Sequence, residues 1–487
     1  MSQDLDPDTP AVHGSWRALL SGRHRRASVV LAGGVGLYAT NVFLTTSLLP
    51  AAVEEIGGAR FYAWVTTVFL LASVISSTLV GAVLPRLGAR NTYFVALGSF
   101  ALGTAACALA PSMPVLLAGR FVQGLGGGLL SGLGYALIRS LLPERLWPLG
   151  TALVSGMWGV GTFLGPALGG AFAQYGMWRG AMAALLAATV LVAVVVPRAV
   201  PAERDRGGDA PPVPSALTVA LLVCAVLLVS IGNITGSTAL LGALLGGALL
   251  TALLALAYDR RRGGRILPPS AFSRTSPLPW CYGAIALLSV ASQIEAFIPL
   301  FGQRLAHLPP LAAGFAGAAI ALGWTLGEIP SAGVAGPRAR SRVASAGPLL
   351  ITLGFVAAGL LAARAMGLGS TLGWIAALLV GGAGIGVAWP HAATRVMSGV
   401  RSESEGGTAA AAINTVQLVS NAVGSATAGV LVHLGGPATE GQARLSLCGI
   451  GLAGVLGAWC VWRGTAAWRG ERVPPRAGAP SGTSLAP

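Results

Sequence analysis

Three ionisable side chains lie deep inside long apolar runs of the sequence: Arg120, Glu295 and Glu328. A charge at the centre of a membrane helix costs about 2.5–3.5 kcal/mol on the mildest scale, so each such residue needs a reason to be there. Glu295 sits in Ser292-Gln293-Ile294-Glu295, and Glu328 in Gly327-Glu328-Ile329-Pro330. A low dielectric disfavours the charged form of a carboxyl, which makes both candidates for carrying a proton or recognising a cation. The plainer alternative is a protonated glutamate that ties two helices together. Arg120 shares a helical face with Gln123, three residues on. It is either a buried cation that orients a cavity and pairs with Glu295 at similar depth, or an arginine reaching for the headgroups.

Uncharged amides supply the second set of polar groups. Asn41, Gln123, Gln293, Asn414, Gln417 and Asn421 all fall within apolar runs, and the last three share one helical face by their spacing. They line a substrate cavity or hydrogen-bond between helices, the two uses membrane amides have. His391, beside Pro390, reads as part of a helix-end kink. The five cysteines form no CxxC or Cys/His cluster, so neither a metal site nor a disulfide is expected. No nucleophile–base pair stands out and GxxxxGK[ST] is missing, so neither an enzyme, a nucleotide site nor a cofactor is expected.

The elements that must hold these groups are membrane helices. Charged residues make up 10% of the chain against about 25% in soluble domains, and mean hydropathy is +0.73. A chain of 487 residues with so few charges must be solvated by lipid. Runs of about 20 apolar residues occur near 28–50, 61–84, 92–110, 114–138, 148–173 and 179–197, then 214–233 and 237–258. Six more lie near 278–302, 310–334, 344–363, 370–395, 406–433 and 443–462. The expected architecture is an all-α membrane protein of fourteen spans, with an N-terminal tail over 1–27 and six-helix bundles over 28–197 and 278–462. A linker over 198–277 carries an inserted helix pair, and a disordered tail covers 463–487.

Charge placement supports that count. The net charge of +15 comes from 31 basic residues, all arginine, set in short clusters between apolar runs. Such clusters are what the positive-inside rule produces; a nucleic-acid surface would put them along one polar face. With the N-terminus inside, one side collects most arginines, including Arg86, Arg90, Arg204, Arg206 and those from Arg260 to Arg274. The other side receives only Arg60, Arg179, Arg304, Arg364 and Arg444. Both termini are therefore expected in the cytoplasm and the chain in the cell inner (plasma) membrane, as a multi-pass protein.

The two sets of six also repeat. Gly81, Pro85, Arg86 and Arg90 after the second span match Gly333, Pro337, Arg338 and Arg342 after the tenth. Gly165, Ala167, Gly170 and Gly176 match Gly424, Ala426, Gly429 and Gly435. Duplicated bundles commonly bind substrate at their interface and rock about it.

The segment Gly119-Arg120-Phe121-Val122-Gln123-Gly124, followed by Gly126-Gly127-Gly128, resembles a signature of the major facilitator superfamily. Gly165-Pro166-Ala-Leu-Gly169-Gly170 is similar to that superfamily's antiporter motif, and Trp64 and Trp178-Arg179 fit the same group. With fourteen spans, the chain resembles the drug:proton antiporter branch. The resemblance implies gating roles for Gly81, Arg86, Gly88 and Arg90 in the loop after the second span, and for Gly165, Pro166, Gly169 and Gly170. Three departures stand out: Pro85 where the family has an acid, Ala89 where it has a basic residue, and Asn41 where the first-span acid falls. An amide carries no proton near neutral pH, so coupling would pass to another residue. The expected activity is proton-coupled export of small hydrophobic or cationic compounds by alternating access, with a small-molecule substrate, protons and the bilayer as partners. Uptake or uniport of a small solute, or a non-transporting sensor or assembly protein, are the alternatives.

Overall fold

The computed structural model describes residues 14–22, 24–200, 213–232, 237–263, 265–273, 275–400 and 403–471. Among them there is helix and no strand. A short α1 (Trp16–Leu20), within the expected N-terminal tail, precedes α2 (His24–Ile56), α3 (Tyr62–Leu87), α4 (Ala89–Ala108) and α5 (Met113–Ala136). The turn α6 (Ile138–Leu141), α7 (Trp147–Gln174) and α8 (Trp178–Ala199) complete a first group. The pair α9 (Ala216–Gly232) and α10 (Thr238–Arg261) follows. A second group holds α11 (Leu278–Ser292), α12 (Ile298–Leu305), α13 (Pro310–Ala332), α14 (Pro337–Leu361), α15 (Leu368–Ser398), α16 (Glu403–Leu434) and α17 (Thr439–Glu471). α17 runs past residue 463, where a disordered tail was expected; Arg204 and Arg206 lie outside the described residues.

Twelve helices among the described residues are long and apolar enough to cross a membrane, with α11 and α12 counting as one. α4 and α9 are not among them, so the expected count of fourteen is not reproduced on these grounds. α9 has 17 residues, short of the roughly 20 a bilayer needs. α4 spends its first turn on Ala89-Arg90-Asn91-Thr92. Short connections alternate the direction of successive long helices. One face, termed proximal, carries the starts of α2 and α4 and the ends of α3 and α8; the opposite face is distal.

The ninth apolar run is broken, where an unbroken span over 278–302 was expected. Between α11 and α12 the chain tightens into a 3-10 turn over Gln293–Phe297. Pro299 has no N–H to give the Glu295 carbonyl four residues back, and the N–H of Ile298 serves that oxygen instead. Glu295 thus sits in a helix break.

Glycine sets the spacing within each group. Gly161, Gly165 and Gly169 of α7 face α2, where added β-carbons would fall 2.7 Å from the Ala39 carbonyl carbon, 2.5 Å from Phe43 Cβ and 2.7 Å from Ser47 Cβ. Gly382 and Gly386 of α15 lie as tightly on the backbone of Ile320 and Trp324 in α13. Without a hydrophobic drive between helices in lipid, such close approach is what holds them. Gly165→Leu is expected to cost about 1–3 kcal/mol through overpacking. Gly170→Leu, at a glycine that faces open space, is expected to be neutral, and melting of the two purified variants in detergent checks the contrast.

In the loop after α3, Gly88 has φ of 79°, a left-handed turn that disfavours a side chain. Arg86 donates to the Ala82 carbonyl, while Arg90 donates to the carbonyls of Pro197 at 2.8 Å and Val200 at 3.0 Å, closing the end of α8. The inserted pair packs on itself and on the α3–α16 seam: Leu222 and Val226 meet Leu418, and Val229 and Leu241 meet Ala426.

Candidate functional site

Arg120 is buried inside the first group, not on the boundary between groups. Its guanidinium donates to the Val65 carbonyl of α3 at 3.2 Å, Asn41 Oδ1 of α2 at 3.2 Å and Gln123 Oε1 at 2.6 Å. Gln123 passes the connection on, donating to Thr104 Oγ1 of α4 at 2.8 Å. The Phe69 ring lies 4.1 Å below the guanidinium carbon, a cation–π contact. One cation therefore staples four helices through neutral acceptors, and the expected pairing with Glu295 is not formed. Similar depth along two helices fixes height only, whereas Arg120 projects toward α2 and α3.

The boundary between the groups is built by α3 and α5 against α16, and by α7 against α13 and α15. Asn414, 0% exposed, occupies its centre. Its Oδ1 accepts from the Ser131 hydroxyl of α5, and its Nδ2 donates to Ser77 Oγ of α3 at 2.9 Å. Ser77 also shares a hydrogen bond with Thr415 at 3.0 Å. Nearby, Trp389 Nε1 donates to the Tyr135 hydroxyl at 3.1 Å. Towards the proximal face, Gly81 abuts Thr408, Arg139 donates to the Met397 carbonyl, and Trp16 Nε1 donates to the Ile329 carbonyl at 3.2 Å. These crossings cluster in the proximal half.

Glu328 lies on the same boundary, on the face of α13 that meets α7. It is 1% exposed, and neither carboxyl oxygen has a hydrogen-bond partner. Ser155 Oγ of α7 and Trp324 Nε1 of α13 stand beside it as the donors within reach, buried and with no other partner. Trp324 and Trp389 form one wall, with ring centroids 5.2 Å apart. Tyr38 and Trp158 form another pair, 5.5 Å apart. The arrangement can hold a proton, or a cation against π faces, in a place both groups touch.

The remaining candidates are scattered. Glu295, half-buried in the helix break, has no hydrogen-bond partner among the described residues. Gln293 donates to Ser292 Oγ at 2.8 Å, and its stem lies against Gly424 of α16. Gln417 is buried with Oε1 unpartnered, and Asn421 is half-buried. His391 meets Ser331 Oγ at 2.9 Å, within a continuous α15 that carries Pro390 inside it. Pro166 is exposed within α7. Among the described residues no group of three His, Cys, Asp or Glu is placed to hold a metal. Ser77, Ser131, Ser155, Tyr135, Trp324 and Thr415 are not singled out by the sequence, because hydroxyls and indoles are ordinary in membrane helices. Only the partner helix reveals their use.

Residues 31–425 match the family described as Major Facilitator Superfamily. The chain is 47% identical over 435 residues, 88% of its own length and 91% of the relative's, to a Mycobacterium tuberculosis protein named "Probable multidrug-efflux transporter". Among solved structures it is similar to the human organic anion transporter MFSD10 (TETRAN), with TM-score 0.65, 17% identity, and 91% of this chain and 100% of that one covered. It is also similar to the E. coli fucose:proton symporter FucP, with TM-score 0.59, 12% identity, and 89% and 98% covered. At those identities the two structures speak to the fold alone. With the family matched over most of its length and the fold shared with both, this chain is a multi-pass membrane transporter, not an enzyme, and belongs to the Major Facilitator Superfamily.

Proposed function

We propose that the chain exports small hydrophobic or cationic compounds in exchange for protons, by alternating opening of its two faces. The observation that carries this reading is Glu328: a fully buried carboxyl, both oxygens unpartnered, on the α7–α13 boundary that must part when the groups rock. Intramembrane carboxyls facing a bundle boundary mark proton and ion pathways. The relative's printed name supports efflux and a broad substrate range. In this reading the groups over 28–197 and 278–462 are the moving bundles, and the crossings of the proximal half make this the arrangement closed on that side. We assign fourteen spans, because α4 and α9 pack among the long helices: α4 against α5 and α8, α9 against α3 and α10. Arginine placement puts the proximal face and both termini in the cytoplasm, with the chain in the inner (plasma) membrane.

The test is substrate-dependent proton movement in proteoliposomes, comparing the wild type with Glu328→Gln and Glu295→Gln. Proton flux that requires substrate and disappears in Glu328→Gln is the expected result. Loss in Glu295→Gln alone would move the carrier to the helix break. Substrate movement with no proton movement in the wild type would overturn antiport in favour of uniport.

A further inference from the structure

Where α13 packs on α7, both oxygens of Glu328 face two buried donors, Ser155 Oγ and Trp324 Nε1, and none of the four atoms has a hydrogen bond of good geometry. Leaving a buried donor or acceptor unmet costs about 1–3 kcal/mol each, and native proteins keep few such groups. A protonated carboxyl has one O–H of its own to place and fewer acceptor sites to offer these two donors. The ionised group is acceptor-only and takes both donors, in charge-assisted bonds about twice as strong as neutral ones.

We propose that Ser155 and Trp324 are the donor pair for ionised Glu328, and that Ser155 makes proton release fasten the two helix groups together on the proximal side. The two donors differ in where they stand. Trp324 is one turn before Glu328 on α13, so its bond survives any separation of the groups. Ser155 belongs to α7, so its bond exists only while the proximal side is closed. A contact made more strongly by the ionised form, and only in the closed arrangement, couples the two events reciprocally. Losing the proton favours closure; gaining it favours opening. An exporter needs that order, because a proton taken up from the distal side then triggers the return to the proximal-open arrangement.

The surroundings leave Glu328 to titrate nearly alone. α7 carries no ionisable residue and α13 no other. α5 presents Tyr135, whose hydroxyl accepts from Trp389. From α15, His391 lies on Ser331, with Arg395 of the same helix and Arg340 of α14 beyond it. Glu295 lies toward the distal end. The proposal rests on Glu328 being the proton carrier, so its test separates the two.

Intact protein in nanodiscs is labelled with a fluorophore pair at Arg145→Cys and Arg338→Cys, one on each group, and proximal opening is followed against pH. The wild type is expected to open as pH falls. Ser155→Ala destabilises the ionised closed form, so its opening midpoint is expected about one pH unit higher. Ser155→Thr, which keeps the hydroxyl, restores the wild-type midpoint. Trp324→Phe removes a bond present in both arrangements, so it moves the midpoint but leaves the open fraction at high pH, where Glu328 is ionised throughout, at the wild-type value that Ser155→Ala raises. An unshifted midpoint in Ser155→Ala, with the response abolished in Glu328→Gln, overturns the clamp and leaves the carrier standing. The same holds if Trp324→Phe raises the open fraction at high pH as far as Ser155→Ala. A pH response that survives Glu328→Gln removes the carrier and the clamp together.

Discussion

Arg120→Leu is expected to destabilise the protein by about 3–5 kcal/mol and to abolish transport. The substitution strips donors from Asn41 Oδ1, Gln123 Oε1 and the Val65 carbonyl at once, in a site closed to water. A buried acceptor left unmet, as Gln123 Oε1 would be, costs about 1–3 kcal/mol; Asn41 Oδ1 keeps only Thr45 at 3.4 Å; and typical domain stabilities are only about 5–15 kcal/mol. Arg120→Lys keeps the charge, but an ammonium on a flexible stem cannot reproduce the planar fork, so an intermediate loss is expected. Asn41→Asp should go the other way. It gives the guanidinium a counter-charge and removes the Nδ2 group that now has no partner. Melting in detergent alongside transport decides between two roles for the arginine. Wild-type melting with lost transport in Arg120→Leu would make it a moving part of the cycle; loss of both makes it the staple argued here.

The span pattern was legible because lipid leaves little choice: backbone polar groups must bond internally, so long apolar runs become helices. Arginine clustering was legible for a related reason. The glycines announced close approach, and Gly165 and Gly169 do meet α2, but no spacing rule says which helix a glycine will face. The break at Gln293–Phe297 shows where local rules run out. Pro299 was visible, yet Pro50, Pro166, Pro330, Pro348 and Pro390 all sit inside continuous helices, so a proline alone does not announce a break. The Arg120–Glu295 pairing failed on direction: depth follows from counting residues, azimuth from packing. Glu328 was legible as a costly charge, but its significance lies in Ser155 across the boundary, on a helix more than 150 residues away in sequence. That is information no local pattern holds.

Asn414→Ala is expected to shift the balance between proximal-closed and proximal-open arrangements by about 10–100-fold toward open. Two hydrogen bonds that cross the boundary disappear with the amide, one from Ser131 and one to Ser77. At about 0.5–1.5 kcal/mol net each, they amount to about 1–3 kcal/mol. The loss falls on one arrangement only, because the open state gives the same groups to water. The hydroxyls left behind in the closed state place the effect toward the upper end. The Asn414 contacts join neutral groups. Pro85 stands where the resemblance to the family implies an acid, and Arg86 and Arg90 turn to backbone carbonyls. The part of the closure that Asn414 supplies should respond little to salt, since screening acts on exposed charges and Asn414 is buried. Distance measurement across the proximal face, in low and high salt, tests both statements. A closed fraction that falls in Asn414→Ala and is insensitive to salt in the wild type supports the neutral clamp. An unchanged closed fraction in Asn414→Ala would assign closure to packing, at Gly81 against Thr408 and Gly159 against Thr325, and Gly159→Val would then be the substitution that opens the face.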